Sequence, residues 1–186
     1  MARLIALLML VLPSLSLAHE MGEEPGGLVS GLLHPLVGMD HLLAALAIGL
    51  WAGSLAGRKA WILPLAFSLA TLTSAALGPG IAPFAVAEMA LAMSVLVLGL
   101  MAAVQSPPRL AAGILMAASV GLLHGHAHGT EGMGLSLQAG YLAGLATSTW
   151  GLHAVGLLVA RRIPLMGMRL LGGSIALAGA SLALAL

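Results

Sequence analysis

Charge, cysteine and aromatic side chains are all scarce in this sequence of 186 residues. Only 7% of the residues are charged, whereas soluble proteins have about 25%. The low charge excludes a water-soluble domain, and the net charge of +1 provides no basic surface for nucleic acid. Aromatic residues are only 3% of the chain and cysteine is absent, so disulfides and thiolate metal sites are excluded. Any metal site must be built from His, Asp, Glu, Met, backbone or water.

Apolar and small residues make up most of the chain. Hydrophobic residues are 60% of the sequence, and 25 residues are glycine. Runs of about 20 apolar residues are long enough to cross a bilayer as helices, and small residues let such helices approach closely. The sequence therefore predicts an all-α, polytopic membrane protein with a single domain from residue 19 to residue 186. The six predicted transmembrane helices are Leu33–Leu55, Trp61–Leu77, Phe84–Val104, Leu110–Ala127, Leu135–Val159 and Leu165–Ala185.

The first 18 residues have the pattern of a signal peptide. Arg3 precedes an apolar stretch from Leu4 to Leu12, and Ser16-Leu17-Ala18 supplies the small residues of a cleavage site. We expect cleavage after Ala18. The alternative is an uncleaved anchor helix, which the short apolar stretch disfavours.

Basic residues indicate the orientation of the helices. If the mature N-terminus is periplasmic, the cytoplasmic loops follow the first, third and fifth predicted spans. Every basic residue of the mature chain lies in or beside these loops, as the positive-inside rule requires. They are Arg58, Lys59, Arg109, Arg161, Arg162 and Arg169. We therefore expect a protein of the bacterial inner membrane with both mature termini in the periplasm.

Three ionisable side chains lie close together in the first predicted span. His34, Asp40 and His41 interrupt an apolar run, although such groups are costly in hydrocarbon and usually mark a functional site there. Imidazole nitrogen and carboxylate oxygen together form a ligand set for a divalent transition metal. On a continuous helix His34 and His41 share a face, and Asp40 lies about 100° from His41. The alternative is that these groups only form hydrogen bonds with neighbouring helices.

The predicted topology brings further ionisable residues towards the same side of the membrane. Glu88 lies about one turn inside the outer end of the third span. His124, His128 and Glu131 have the spacing i, i+4 and i+7, which places them on one face of a helix, although Glu131 itself is expected in the loop after the fourth span. The predicted metal-binding residues are His34, Asp40, His41, Glu88, His124, His128 and Glu131.

Three other residues have two interpretations each. His126 points away from the face of His124, and a histidine at the headgroup level is the alternative to a metal ligand. His153 fits either an exit path or a buried core position. Phe67 fits either core packing or a hydrophobic gate.

The segment His34-Pro35-Leu36-Val37-Gly38-Met39-Asp40-His41 resembles the HupE/UreJ family of nickel and cobalt permeases, whose first-span motif is HPxxGxDH. The resemblance continues at Glu88, ahead of Ser94 to Gly99, and in the segment from His124 to Glu131. It covers essentially the whole chain. By motif match it points to His34, Asp40, His41, Glu88, His128 and Glu131 as functional residues.

The resemblance implies secondary uptake of Ni²⁺, or of Co²⁺, from the periplasm to the cytoplasm. The metal is then a transported substrate, no cofactor is permanently bound, and the protein is not an enzyme. Expected partners are the lipid bilayer and, downstream, hydrogenase or urease maturation proteins. The resemblance does not decide whether the protein forms a homo-oligomer.

The sequence also bears on the energy source for metal uptake and on two competing hypotheses of function. The sequence has no P-loop motif for nucleotide phosphates, so we expect an electrochemical gradient rather than ATP to drive uptake. One competing hypothesis is a membrane sensor or chaperone that binds a metal without transporting it. The other is an intramembrane metalloenzyme, which the lack of an HExxH motif disfavours.

Overall fold

In the computed structural model the described residues are 27–77, 84–131 and 138–186, without the side chains at 84–85, 128–131 and 138. These residues form seven α-helices and one short 3-10 helix, Gly57–Trp61, and contain no strand. The helices are α1 Leu28–Val37, α2 Met39–Ala52, α3 Ile62–Ala76, α4 Phe84–Val104, α5 Leu110–Glu131, α6 Gln138–Ala160 and α7 Leu165–Leu184. The predicted signal peptide, residues 1–18, lies outside the described residues.

The helices have the length and composition of membrane spans. Five are long and apolar enough to cross a membrane, counting the 3-10 helix together with α3, and α1 and α2 together would make a sixth span. Their outer surface carries large apolar side chains: Leu69, Leu115 and Leu177 are exposed by 57%, 70% and 71%. Soluble monomers rarely expose extended apolar surface, whereas lipid solvates it. The prediction of an all-helical protein with membrane-spanning character is therefore confirmed.

The first predicted span is broken. α1 ends at Val37, α2 begins at Met39, and the two helices are bent by 82° relative to each other. Gly38 lies between them with an extended backbone, at φ −73° and ψ 110°. Its N–H donates to the carbonyl of His34, and its carbonyl accepts from the N–H of Leu42. Both helices therefore keep backbone hydrogen bonds at the break.

The prediction of one helix from Leu33 to Leu55 was therefore wrong. Pro35 lies inside α1, where it has no N–H to donate to the carbonyl one turn earlier and so weakens the helix. α1 ends within one turn of this proline. The apolar run continues across the break, so hydrophobicity alone does not reveal it.

Glycine residues bring four pairs of helices into backbone contact. A Cβ atom at any of these glycines would overlap atoms of the partner helix. The contacts are Gly144 with Leu28 (α6 with α1), Gly49 with His153 (α2 with α6), Gly99 with Ala176 (α4 with α7) and Gly125 with Thr71 (α5 with α3). Close approach of this kind provides the van der Waals contact that holds helices together where the surrounding lipid is as apolar as the helices themselves.

The loops with basic residues lie at one end of the bundle. Arg161 Nη2 donates to the carbonyl of Gly57 at 3.5 Å, which joins the loop after α6 to the segment before α3. Gln105 Nε2 donates to the carbonyl of Leu50 at 3.0 Å, which joins the loop after α4 to the end of α2. We call this the basic end of the bundle; its basic residues are Arg58, Lys59, Arg109, Arg161 and Arg162.

Replacement of Gly99 by alanine should destabilise the bundle. The added Cβ would overlap backbone atoms of Ala176, and overpacking typically costs about 1–3 kcal/mol. Alanine regains only about 1 kcal/mol through its higher helix propensity. We expect the Gly99→Ala variant to have a lower melting temperature than the wild type when both are purified in the same detergent.

Gly173→Ala on α7 is the matched control, because no atom of another described helix lies within 4 Å of a Cβ atom at Gly173. This variant should melt at or above the wild-type temperature. Equal melting temperatures for the two variants would contradict the packing role of Gly99.

Candidate metal-binding site

The site begins with a histidine that is hydrogen-bonded to its neighbour. His41, in the first turn of α2, is buried, and its Nδ1 lies 2.8 Å from Oδ1 of Asp40. A carboxylate has no proton to donate, so Nδ1–H of His41 is the donor and Nε2 carries the lone pair of the neutral ring. A carboxylate that orients a histidine in this way is the usual support of a metal-binding imidazole, and it raises the basicity of the ring.

His34 reaches His41 across the break between α1 and α2. The centroids of the two imidazole rings are 5.5 Å apart, with an edge-to-face orientation. On a continuous helix the separation of seven positions between His34 and His41 would correspond to about 10.5 Å along the axis. The 82° bend at Gly38 instead lets the rings meet. The ring of Tyr141 on α6 also lies beside His34, at 5.9 Å between centroids.

His124 contributes a third imidazole from α5. Its ring centroid is 4.7 Å from that of His41, and the side chain is only 1% exposed. Nε2 of His124 lies 3.0 Å from Oγ of Ser94 on α4, and that hydroxyl donates its proton to the carbonyl of Leu91 at 2.7 Å. Because the serine proton is already used, Nε2–H of His124 donates to Ser94, and Nδ1 carries the lone pair.

Nδ1 of His124 is buried and has no hydrogen-bond partner among the described residues. Most buried polar atoms in proteins are hydrogen-bonded, and an exception often marks a binding or catalytic role. His34, His41 and His124, with the carboxylate of Asp40, form the ring cluster. The cluster therefore presents imidazole lone pairs beside a negative charge in a mostly apolar bundle.

The position of His124 depends on the contact between α3 and α5. Gly125, next to His124, packs on the carbonyl of Thr71, and Gly121 packs on the carbonyl of Phe67. This close approach places the Phe67 ring 5.6 Å from the His124 ring, centroid to centroid. The Phe67 ring is also 5.3 Å from the ring of His153, centroid to centroid, so one phenyl ring lies beside both His124 and His153.

The structure brings together four of the seven predicted metal-binding residues, namely His34, Asp40, His41 and His124. Glu88 lies on α4, half-buried, and no salt bridge joins it to another described residue. It precedes Ser94 by six residues, about 9 Å along the helix axis. The side chains of His128 and Glu131 lie outside the described residues, so their predicted roles are untested.

The helical path of α5 corrects one boundary. α5 continues to Glu131, so the prediction of Glu131 in a loop was wrong, and the i, i+4, i+7 spacing from His124 is realised on one helix.

In the described part of the chain, no three His, Asp or Glu side chains are close enough to hold a metal ion together. The ring cluster is therefore not a closed, preformed chelate.

Sequence reasoning gave no role to Ser94 or Tyr141. Ser94 fixes the tautomer of His124, and Tyr141 packs against His34. Both lie on helices far along the chain from their partners, so no spacing rule connects them. The one available signal was that each is a polar side chain within an apolar span.

Comparisons with known proteins identify the family of this chain. The family described as HupE / UreJ protein matches residues 7–182. The chain is also 41% identical over 180 residues to Protein HupE of Rhizobium leguminosarum bv. viciae. The aligned region covers 93% of this chain and 92% of that protein. No solved structure matches the chain. Because the family match includes every helix of the ring cluster, this chain belongs to the HupE/UreJ family.

Proposed function

We propose that this protein is a secondary transporter that carries a divalent transition metal, Ni²⁺ or Co²⁺, from the periplasm to the cytoplasm. HupE/UreJ proteins are generally membrane proteins associated with nickel and cobalt uptake. The observation that carries the proposal is the ring cluster: three imidazoles and one carboxylate meet inside a bundle whose surface is apolar. Nitrogen and oxygen donors without sulfur suit these metals.

The open geometry of the ring cluster supports transport over permanent binding. A transported ion must bind firmly enough to be selected and loosely enough to leave. The described side chains do not close a three-ligand site, so an ion at His41 and His124 would retain water among its ligands. Ni²⁺ bound partly by water can exchange one imidazole for another as it moves.

The charge of the metal ion provides the driving force for uptake, and the basic residues of the protein indicate its orientation in the membrane. A dication that moves into a negative interior gains about 4.6 kcal/mol per 100 mV of membrane potential, and this suffices for uptake without ATP. In the proposed orientation the basic end faces the cytoplasm, which agrees with the positive-inside rule. The mature N- and C-termini are then periplasmic. The metal first meets His128 and Glu131, and Glu88 serves near the ring cluster as charge partner or proton acceptor.

The competing proposal is a membrane sensor or chaperone that binds the metal without moving it. Flux separates the two: purified protein in lipid vesicles with a negative interior should accumulate ⁶³Ni²⁺ above the level of protein-free vesicles. Binding to the purified protein without accumulation in the vesicles would favour the sensor.

Replacement of Asp40 by asparagine should reduce the initial rate of ⁶³Ni²⁺ uptake by about 10–100-fold, the usual effect of removing the partner of a metal-binding histidine. Asparagine has nearly the same shape as aspartate, but it lacks the charge that holds His41 and attracts the cation. His41→Ala should reduce uptake at least as much. Thr147→Val, an exposed position on α6, is the control for insertion and folding. Wild-type uptake by Asp40→Asn would remove the Asp40–His41 pair from the mechanism.

Uptake should fall when the outside pH is lowered from about 7.5 to about 5.5, the range in which histidine side chains change charge. An imidazole must be neutral to bind a metal, so protons and Ni²⁺ compete for the same nitrogen. Initial rates should be measured at a fixed membrane potential and at several Ni²⁺ concentrations. Competition predicts that more Ni²⁺ restores the rate at low pH, whereas a rate independent of pH would argue against histidine ligands.

Gly38→Ala should impair uptake without unfolding the protein. An alanine Cβ at this position would lie 3.1 Å from Nδ1 of His41 and 3.3 Å from Oδ1 of Asp40, which forces the hydrogen-bonded pair to shift. The backbone at Gly38 has a negative φ, so alanine adds no backbone strain. We expect slower uptake at a nearly unchanged melting temperature, with Gly173→Ala as the matched control. Equal uptake by both variants would show that the pair tolerates displacement.

A further inference from the structure

A second buried imidazole lies outside the ring cluster. His153 of α6 is 0% exposed, and its Nδ1 lies 2.8 Å from the carbonyl oxygen of Ala45 on α2. A carbonyl can only accept, so Nδ1–H is the donor and Nε2 carries the lone pair of the neutral ring. Nε2 is buried and has no hydrogen-bond partner among the described residues. A buried acceptor in this state is costly unless something else binds it.

His153 is held in place from two sides. The backbone carbonyl of His153 packs directly on Gly49 of α2, and its ring is tied to Ala45 on the same helix. Ala45 follows His41 by four residues, which is one turn or about 6 Å along α2. The imidazoles of His41 and His153 are thus both anchored on α2, one turn apart. The orientation of Nε2 is therefore fixed by the backbone.

The neighbours of His153 lead towards the basic end of the bundle. The Phe67 ring lies beside both His124 and His153, with its centroid 5.6 Å from the ring of His124 and 5.3 Å from the ring of His153. The Trp150 ring lies 6.4 Å from the ring of His153, and Trp61 stacks on Trp150 with the ring centroids 5.7 Å apart. Trp61 is the last residue of the 3-10 helix that contains Arg58 and Lys59. His153 therefore lies between the ring cluster and the basic end.

We propose that Nε2 of His153 is a second, inner binding position for the transported divalent cation. This inference rests on the proposed transport function and adds a step to it. The ion passes from the ring cluster beyond Phe67 to His153, binds there through one imidazole nitrogen with retained water, and leaves towards the basic end. A purely structural role for His153, in which Nδ1–H only ties α6 to α2, is the competing explanation.

The variant His153→Asn separates these explanations. The asparagine side-chain amide takes the place of Nδ1–H and can still donate to the carbonyl of Ala45, but it has no atom at the position of Nε2. A structural role therefore predicts wild-type behaviour for this variant. An inner binding position predicts an initial uptake rate at least about tenfold below that of the wild type, because mutations in metal sites usually reduce metal affinity or activity by at least this factor.

Two measurements on the same protein samples complete the test. Initial ⁶³Ni²⁺ uptake is measured in vesicles with a negative interior, and bound ⁶³Ni²⁺ is measured by equilibrium dialysis of the detergent-purified protein. We expect His153→Asn to bind one ion fewer per chain than the wild type while the ring cluster still binds its ion. Thr147→Val on the exposed face of α6 serves as the control, and melting temperature reports folding.

Each result has a definite meaning. If the wild type transports Ni²⁺ and His153→Asn matches it in rate and in ions bound, the inner position is wrong and the transport proposal is unaffected. If the wild type does not transport Ni²⁺, the transport proposal fails, and the number of ions bound still decides whether His153 is a metal-binding residue. If His153→Asn does not fold, His153→Leu takes its place, because leucine has a similar shape to asparagine and no atom that can bind a metal; an unchanged number of ions bound by this variant would overturn the proposal.

Discussion

A neutral imidazole has one proton for two nitrogens, and inside an apolar bundle the nitrogen that carries the proton must have an acceptor. Three histidines meet this requirement in three ways: His41 donates to the carboxylate of Asp40, His124 to the hydroxyl of Ser94, and His153 to the carbonyl of Ala45. Each hydrogen bond fixes the ring, and each assigns the lone pair to the other nitrogen. The same bonds that make these rings tolerable in the bundle therefore orient the lone pairs that the proposed function assigns to the metal.

Small residues determine where those rings lie. Gly38, between α1 and α2, leaves space for the Asp40–His41 pair, while Gly49 and Gly125 let α2 and α5 touch the backbones of α6 and α3. Larger residues would move the helices apart by the width of a side chain. A displacement of that size would separate rings whose centroids are now 4.7 Å apart. Backbone contact between helices and the spacing of the imidazole rings are thus linked through glycine.

The sequence predicted the helices better than it predicted their contacts. Apolar runs and loop residues located the spans from Trp61 onwards because length and polarity are local properties. The break at Gly38 was missed because the apolar run continues through it, although Pro35 and Gly38 were both visible. The pairing of His124 with Ser94 depends on how α4 packs against α5, and no spacing within either helix contains that information. The sequence motif identified candidate residues, but only the packed helices show how their side chains are oriented.

The two imidazole positions differ in a way that suits directional movement. At the ring cluster a carboxylate supports His41, which raises the basicity of the ligand and adds a negative charge beside the cation. His153 is supported by a neutral carbonyl, so its nitrogen is the weaker ligand, and its described ring neighbours are Phe67 and Trp150. In the proposed pathway an ion is captured where the ligands are strongest and passes to a weaker one nearer the cytoplasm. The membrane potential supplies the free energy for that step, and weak binding at His153 then favours release over retention.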